Sequence, residues 1–174
     1  GVPQGGLVGG AHVDQALECV VARVPTLVEK PVAHTLEAGM RLCAAVEAAE
    51  DWGTYVTVHA YTPRAIQKAI RAGVKCIEHG NLADEATARM MAEKGVWWSL
   101  QPFLDDEDAI PFREGSANRK KQIQMTAGTD TAYGLAKQHK VKTAWGTDTL
   151  FDPKLATRQG AQLACLHIRD CRRH

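Results

Sequence analysis

Short β-branched or aromatic runs alternate with longer segments of helical period along the chain from residue 54 onward. This alternation is typical of βα units built around a parallel sheet. It predicts four strands, which are TYVTVH (54–59), VKCIEH (74–79), VWWSL (96–100) and VKTAWG (141–146). The predicted fold class is therefore α/β.

The segments between these runs carry ordinary helix signals. The helix after the first strand is expected to begin near Pro63 and to end at Gly73, and the next has Asp84 as its N-cap candidate and Gly95 as its stop. A further helical stretch is predicted from about residue 117 to residue 139. The acidic segment before it, QPFLDDEDAIPFREGS, is interpreted as an elaborated loop over one face of the sheet.

The first part of the chain has a less regular pattern. Residues 36–51 predict a helix with its apolar side chains roughly on one face, which is expected to pack beside the first strand. Residues 1–35 contain glycines and prolines and predict no definite element, so we divide the chain into an irregular segment, 1–35, and a domain, 36–174. Because the chain does not begin with Met, we expect processing or a missing upstream portion.

Composition and charge exclude several classes of function. The chain has 174 residues, of which 45% are hydrophobic, and 21 Lys and Arg stand against 20 Asp and Glu. This balance favours neither disorder nor binding to nucleic acid or to an anionic membrane. No apolar run approaches the roughly 20 residues that span a bilayer. The five cysteines include no Cys-x-x-Cys pair and fit neither a disulfide framework nor a zinc knuckle, so we expect a reducing, cytoplasmic setting.

Three side chains that bind metals or protons stand at the carboxyl ends of predicted strands: His59, His79 and Asp148. In parallel α/β folds these ends open onto one functional face, so the three side chains are expected to converge there. Neighbouring strands are about 4.8 Å apart, which lets histidines on two of them share one divalent ion. A single histidine at a strand end is more often structural, but two histidines and an aspartate at equivalent ends favour a metal site.

The stretch VTVHAYTPRAIQKAIRAGVKCIEHGNLADEATARMMAEKGVWWSLQPFL, followed by AWGTDT, resembles the later half of metal-dependent amidohydrolases. The resemblance covers roughly residues 40–160 and points to the imidazolonepropionase-like and Xaa-Pro dipeptidase-like branch. The combination of VHA, IEHG and GTD is far more specific than any one of these motifs. The resemblance implies a partial (β/α)₈ TIM barrel, approximately strands 5–8 with their helices, and hydrolysis of amide or related C–N and ester bonds.

The resemblance also implies roles for individual residues. His59 and His79 match metal ligands of the family, and Asp148 matches a metal ligand that also serves as general base and acid for the attacking water. Tyr61 matches a position that contacts the substrate carbonyl, although a plain packing role is equally compatible with the sequence. The implied cofactor is a divalent metal, zinc foremost, with one or two ions in the full site.

Two features of the family are missing from the sequence. No His-x-His pair occurs anywhere in it, and the nearest candidate for a bridging lysine, Lys30, is interpreted as a solvated side chain. We therefore expect a fragment of a hydrolase that cleaves a small peptide-like or cyclic amide, or alternatively a truncated, non-catalytic α/β domain that acts through binding or assembly. A partial barrel leaves sheet edges and inner apolar surface open, which predicts a homo-oligomer or pairing with a complementary barrel half.

Overall fold

A computed structural model of the protein describes residues 26–28, 36–106, 109–149 and 153–164. The interpretation of Lys30 as a solvated lysine lies outside these residues. In chain order the elements are β1 (Thr26–Val28), α1 (Leu36–Asp51), β2 (Val56–Ala60), α2 (Pro63–Arg71), β3 (Cys76–His79), α3 (Glu85–Lys94), β4 (Trp97–Leu100), α4 (Ala117–Ala127), α5 (Thr129–Gln138), β5 (Thr143–Trp145) and α6 (Pro153–Ala156).

The five strands form one sheet in the order β1-β2-β3-β4-β5, and every neighbouring pair is parallel. The α/β class and all four predicted strands are confirmed. β1 is an additional strand, within a segment for which the sequence predicted no definite element. That expectation was wrong for Thr26–Val28 because these residues are ordered by pairing with Val56–Val58 of β2, a distant contact that local patterns do not report.

The sheet separates apolar from polar side chains by the alternation of its strands. One face carries the buried core residues of the strands, which are Val56, Val58, Ile77, Trp98 and Leu100. Helices α1, α2, α3 and α5 contribute further buried apolar side chains to the same cluster. The opposite face carries polar side chains, and this is the face on which the candidate functional residues lie.

The helix boundaries follow from their capping residues. α2 has Pro63 in its first turn, and α3 is capped by Asp84, whose side chain accepts a hydrogen bond from the backbone N–H of Thr87 at 2.8 Å. α3 stops at Gly95, which adopts the left-handed conformation. These boundaries confirm the helix signals in the sequence. In the described part of the chain, none of the helices is long and apolar enough to cross a membrane.

The helical stretch predicted from about 117 to 139 consists of two helices, α4 and α5, with Gly128 at their junction. The break lies against the loop that follows β3: a Cβ atom on Gly128 would stand 2.9 Å from the carbonyl carbon of Asn81. The Asn81 side chain then donates to Thr129 Oγ1 at 2.9 Å, and Thr129 donates to the carbonyl of Phe103 at 2.6 Å. The junction therefore ties two loops at the carboxyl edge of the sheet to α5.

The loop between β4 and α4 is held by side chains of α4. Arg119 makes two hydrogen bonds to the carboxylate of Asp105, one of them 3.1 Å long, and its Nε donates to Glu114 at 3.0 Å. Gln122 donates to the carbonyl oxygen of Ile110 at 2.8 Å. The early part, the middle and the end of this loop are thus attached to one helix.

Candidate functional site

A row of polar side chains crosses the sheet on the face opposite the core. The register pairs Thr57 with Cys76, His59 with Glu78, and Glu78 with Ser99, so these side chains share one face. The carboxylate of Glu78 accepts a hydrogen bond from Thr57 Oγ1 at 3.1 Å and lies 3.7 Å from the Cys76 sulfur. Burial raises the pKa of the Cys76 thiol to about 11, the Thr57 hydrogen bond lowers it, and the charge of Glu78 raises it further.

Two buried histidines meet at the carboxyl end of this row. His59 is the fourth residue of β2 and His79 is the last residue of β3. His59 Nδ1 lies 2.5 Å from His79 Nε2, and both rings are at least nine-tenths buried. The expectation that strand-end histidines converge therefore holds for this pair.

An unusual backbone conformation at His79 brings its ring to this face. Strict alternation along β3 would put the side chains of Glu78 and His79 on opposite sides of the sheet. His79 has a φ of 72°, in the left-handed region, and its ring reaches the polar face with Glu78. Asp148, which follows the edge strand β5, also has a left-handed φ, of 53°. Such conformations are uncommon for residues other than glycine and are concentrated at functional sites.

Aromatic rings cover His79. The ring of Tyr61 stacks on His79 with centroids 4.6 Å apart and only 5° between the planes, and Phe103 lies 5.7 Å away at 25°. The predicted site residue Tyr61 is thus in direct contact with a predicted ligand. The stacked ring alone gives Tyr61 a packing role, whereas a catalytic role would require its hydroxyl group.

A cavity of about 600 Å³ opens beside these rings. Its lining includes Tyr61, Phe103 and Asp148, apolar side chains such as Leu82, Pro102 and Met125, and charged ones, Asp106 and Lys121, but neither His59 nor His79. Asp148 lies three residues beyond the end of β5 and is exposed. The cavity places Asp148 and Tyr61 on one surface at the carboxyl edge of the sheet.

The predicted metal ligands are only partly assembled. His59 and His79 are in contact, but among the residues that the structure describes no three His, Cys, Asp or Glu side chains form a metal-binding group. The two histidines fit a divalent ion in donor type, because they offer buried imidazole nitrogens that face each other. Two nitrogens on a tetrahedral ion with bonds of about 2.1 Å are about 3.4 Å apart, so the pair would open by about 1 Å to hold one.

Glu78 and Gln101 are also connected to the histidine pair, and neither was among the site residues predicted from the sequence. The side-chain oxygen of Gln101 lies 2.9 Å from His79 Nδ1, and its nitrogen donates to Glu78 Oε2 at 3.4 Å. Gln101 is 3% exposed, although it was assigned only to the start of a long loop. The signal that could have found it is the alternation of Ser99 and Gln101 at the end of β4, which places both on the polar face.

Residues 25–166 match the model of the amidohydrolase family. A curated relative, an uncharacterized protein of Mycobacterium tuberculosis, is 35% identical over 78 residues, which are 45% of this chain and 20% of that protein. The matched stretch is therefore about a fifth of that relative's length.

Two of the solved structures with the same fold are described with an amino-acid compound bound. One is a prolidase complexed with N-methylphosphonate-L-proline, at 27% identity and a TM-score of 0.65, covering 84% of this chain and 44% of that one. Another is a Xaa-Pro dipeptidase with methionine bound in its active site, at 31% identity and a TM-score of 0.55, covering 63% of this chain and 28% of that one. The chain thus spans less than half of each of these structures.

Proposed function

Because this chain belongs to the amidohydrolase family, with the fold of a partial (β/α)₈ barrel, we propose that it forms part of a metal-dependent hydrolase that cleaves an amide bond by activated water. The observation that carries the proposal is the contact of 2.5 Å between His59 Nδ1 and His79 Nε2 at the carboxyl ends of neighbouring strands. Members of this family generally use divalent metals. A bound ion, zinc foremost, would supply a Lewis acid and an activated water at neutral pH.

The residues of this chain divide the remaining work. His59 and His79 would hold the ion, and burial of both rings keeps their nitrogens away from bulk water. Asp148 handles the proton of the attacking water and contributes to the metal site. Tyr61 contacts the carbonyl of the scissile amide with its hydroxyl group while its ring keeps His79 in place. The location of Asp148 and Tyr61 on one cavity wall supports a substrate bound between them.

The substrate we propose is a small peptide-like amide, with a dipeptide as the first choice and a cyclic amide as the alternative. The largely apolar cavity of about 600 Å³ is of a size that accepts a dipeptide with an apolar side chain. The similar structures that contain a proline phosphonate and a methionine support this class. Because Cys43 and Cys76 are free thiols, a cytoplasmic location is the setting that we propose.

Metal analysis tests the site directly. Purified wild-type protein is dialysed against zinc, manganese or cobalt, and the bound metal is measured beside that of H59A, H79A and the double variant. His139, a mostly buried histidine at the end of α5, provides the matched control H139Q, which should retain wild-type metal. A wild type that holds no more metal than the double variant would overturn the metal site, and hydrolysis of a dipeptide panel then tests the substrate class.

A second candidate, binding or assembly without catalysis, is favoured by exposed aromatic side chains at the sheet. Trp97 shares the polar face with Cys76 and is 46% exposed, and Tyr55, the residue before β2, is 58% exposed. We propose that this face is covered in the working protein, by a second copy or by a complementary part of the barrel. A monomer in light scattering at micromolar concentration, with no tendency to aggregate, would contradict this covering.

A further inference from the structure

We propose that Gln101 is a positioning residue that holds His79 in a single tautomer, with the proton on Nδ1 and the lone pair of Nε2 turned toward His59. This inference rests on the proposed function only for its purpose, since it makes His79 Nε2 the nitrogen that carries the lone pair needed by a metal ion. It concerns a residue outside the three predicted ligands. The tautomer of a metal-binding histidine is set by the hydrogen bond on its other nitrogen.

The orientation of the Gln101 amide follows from its neighbours. Its nitrogen is 3.4 Å from Glu78 Oε2 and 3.5 Å from Ser99 Oγ, while its oxygen is 2.9 Å from His79 Nδ1. The reverse orientation would point the amide oxygen at the Glu78 carboxylate, which only accepts hydrogen bonds. The oxygen must therefore face His79, and an acceptor at 2.9 Å requires an N–H at His79 Nδ1.

Glu78 has polar neighbours on both of its carboxylate oxygens. Thr57 Oγ1 lies 3.1 Å from Glu78 Oε1 and 3.2 Å from the carbonyl oxygen of Cys76, so its one proton is donated to one or the other, and Gln101 lies next to Glu78 Oε2. Gln101 and His79 are 3% and 2% exposed, so water competes little for their hydrogen bond. A continuous chain of contacts runs from Thr57 through Glu78 and Gln101 to His79.

The contact between His79 and His59 determines the tautomer of His59 as well. With the His79 proton on Nδ1, His79 Nε2 is an acceptor, and the nitrogen 2.5 Å away, His59 Nδ1, is the donor. Both histidines thus have one assigned tautomer in the metal-free protein. In this arrangement the lone pair of His79 Nε2 accepts the His59 N–H, and a ligand at Nε2 would displace that hydrogen bond.

Nuclear magnetic resonance of the metal-free protein, labelled with ¹⁵N histidine, reads the tautomer directly. At a pH above the ordinary imidazole range we expect His79 to show an Nδ1–H pattern in the wild type and a mixture of the two tautomers in Gln101→Met. The matched control is Gln138→Met, an exposed glutamine at the end of α5, which should leave the pattern unchanged. Should Gln101→Met fail to fold, Glu78→Gln tests the same chain of contacts from its other end.

A variant that exchanges the side chains of Glu78 and Gln101 is expected to restore the hydrogen bond to His79. The variant E78Q/Q101E keeps one carboxylate and one amide in contact but reverses them, so His79 Nδ1–H again meets an acceptor. We expect zinc affinity of the metal-free protein to fall about 10- to 100-fold in Gln101→Met and to recover in the double exchange. An unchanged His79 tautomer in Gln101→Met overturns the inference. If the tautomer shifts as expected but the wild type binds no metal, the proposed function fails and the role of Gln101 stands.

Discussion

The indole nitrogen of Trp98 donates a hydrogen bond to the carbonyl oxygen of His79, which is 2.8 Å away. This contact joins a core residue of β4 to the backbone of a candidate ligand on β3. It also explains the glycine of the IEHG motif, because a Cβ on Gly80 would stand 2.9 Å from Trp98 Cε2 and closer still to the indole nitrogen. Gly80 also has a φ of 71°. The IEHG motif therefore includes a glycine, Gly80, that leaves room for Trp98 to bind the main chain of the candidate metal ligand His79.

The first prediction concerns this close approach. Gly80→Ala should lower the free energy of unfolding by about 2–4 kcal/mol, since it adds both overpacking against the ring and a left-handed conformation for a residue with a Cβ. Urea unfolding followed by circular dichroism measures the change. The matched control is Gly39→Ala in α1, where a Cβ meets nothing within 4 Å and the helix should be stabilised by up to about 1 kcal/mol. Equal effects of the two substitutions would contradict the packing argument.

The second prediction concerns the reactivity of Cys76. With a pKa of about 11, roughly one Cys76 thiol in a thousand is ionised at pH 8, so iodoacetamide should modify it far more slowly than the exposed Cys43. Peptide mapping by mass spectrometry gives both rates in one sample. Glu78→Gln removes a charge that raises the Cys76 pKa and should speed the modification. Similar rates at Cys43 and Cys76 in the wild type would show that the thiol is not protected.

The same shift has a consequence for stability against pH. The folded state retains the Cys76 proton where the unfolded chain, with a thiol pKa near 9, has begun to lose it. The protonated thiol therefore makes its full contribution to the free energy of unfolding below about pH 9, and this contribution is lost as the pH rises toward 11. Cys76→Ala should remove this part of the alkaline loss, which urea titrations between pH 8 and pH 11 measure.

The third prediction concerns the loop over the cavity. Arg119 holds the pKa of Asp105 below its usual range through their hydrogen bonds, so this ion pair persists throughout the neutral range and is lost only as the pH falls below the ordinary carboxyl range. Arg119→Met should increase hydrogen exchange of residues 101–106 and 109–116 several-fold. The control is Lys120→Met on the exposed side of α4. Unchanged exchange in Arg119→Met would mean that Gln122 alone holds the loop.

The fourth prediction separates the two roles of Tyr61. Tyr61→Phe keeps the ring that stacks on His79 but removes the hydroxyl group, so its melting temperature should match the wild type. If the hydroxyl contacts the substrate carbonyl, kcat for a dipeptide should fall about 100-fold. Tyr61→Leu, which also loses the stack, should lower both kcat and metal affinity. A wild-type kcat in Tyr61→Phe would leave Tyr61 with a packing role alone.

Sequence patterns predicted the elements whose signals are local. The strands that end near His59 and His79, and the helix that begins after Asp84, follow from alternation and capping residues close in the chain. β1 was missed because its order depends on pairing with β2. Glycine at 128 interrupts the helical pattern locally, but the reason that no side chain fits there, the approach of the Asn81 main chain, lies 47 residues earlier and has no local signal.

The contact between His59 and His79 could be predicted from the sequence, but the residues that surround this pair could not. Strand-end positions were enough to bring His59 and His79 together, because the ends of parallel strands meet at one edge. Gln101 follows the end of β4 by one residue, and only the positive φ of His79 lets the two side chains meet. A backbone dihedral of that kind has no signal in the pattern of a histidine at the end of a strand.

The left-handed backbone at His79 and Asp148 has a different consequence for selection at each position. Glycine adopts this conformation with less strain than histidine or aspartate. At position 79, however, glycine would leave a cavity beside the stacked rings, because His79 is only 2% exposed. Laboratory selection for heat resistance, run without any requirement for activity, is accordingly expected to enrich glycine at the exposed position 148 and to retain His79. Retention of Asp148 under that selection would show that the strain is relieved by its contacts.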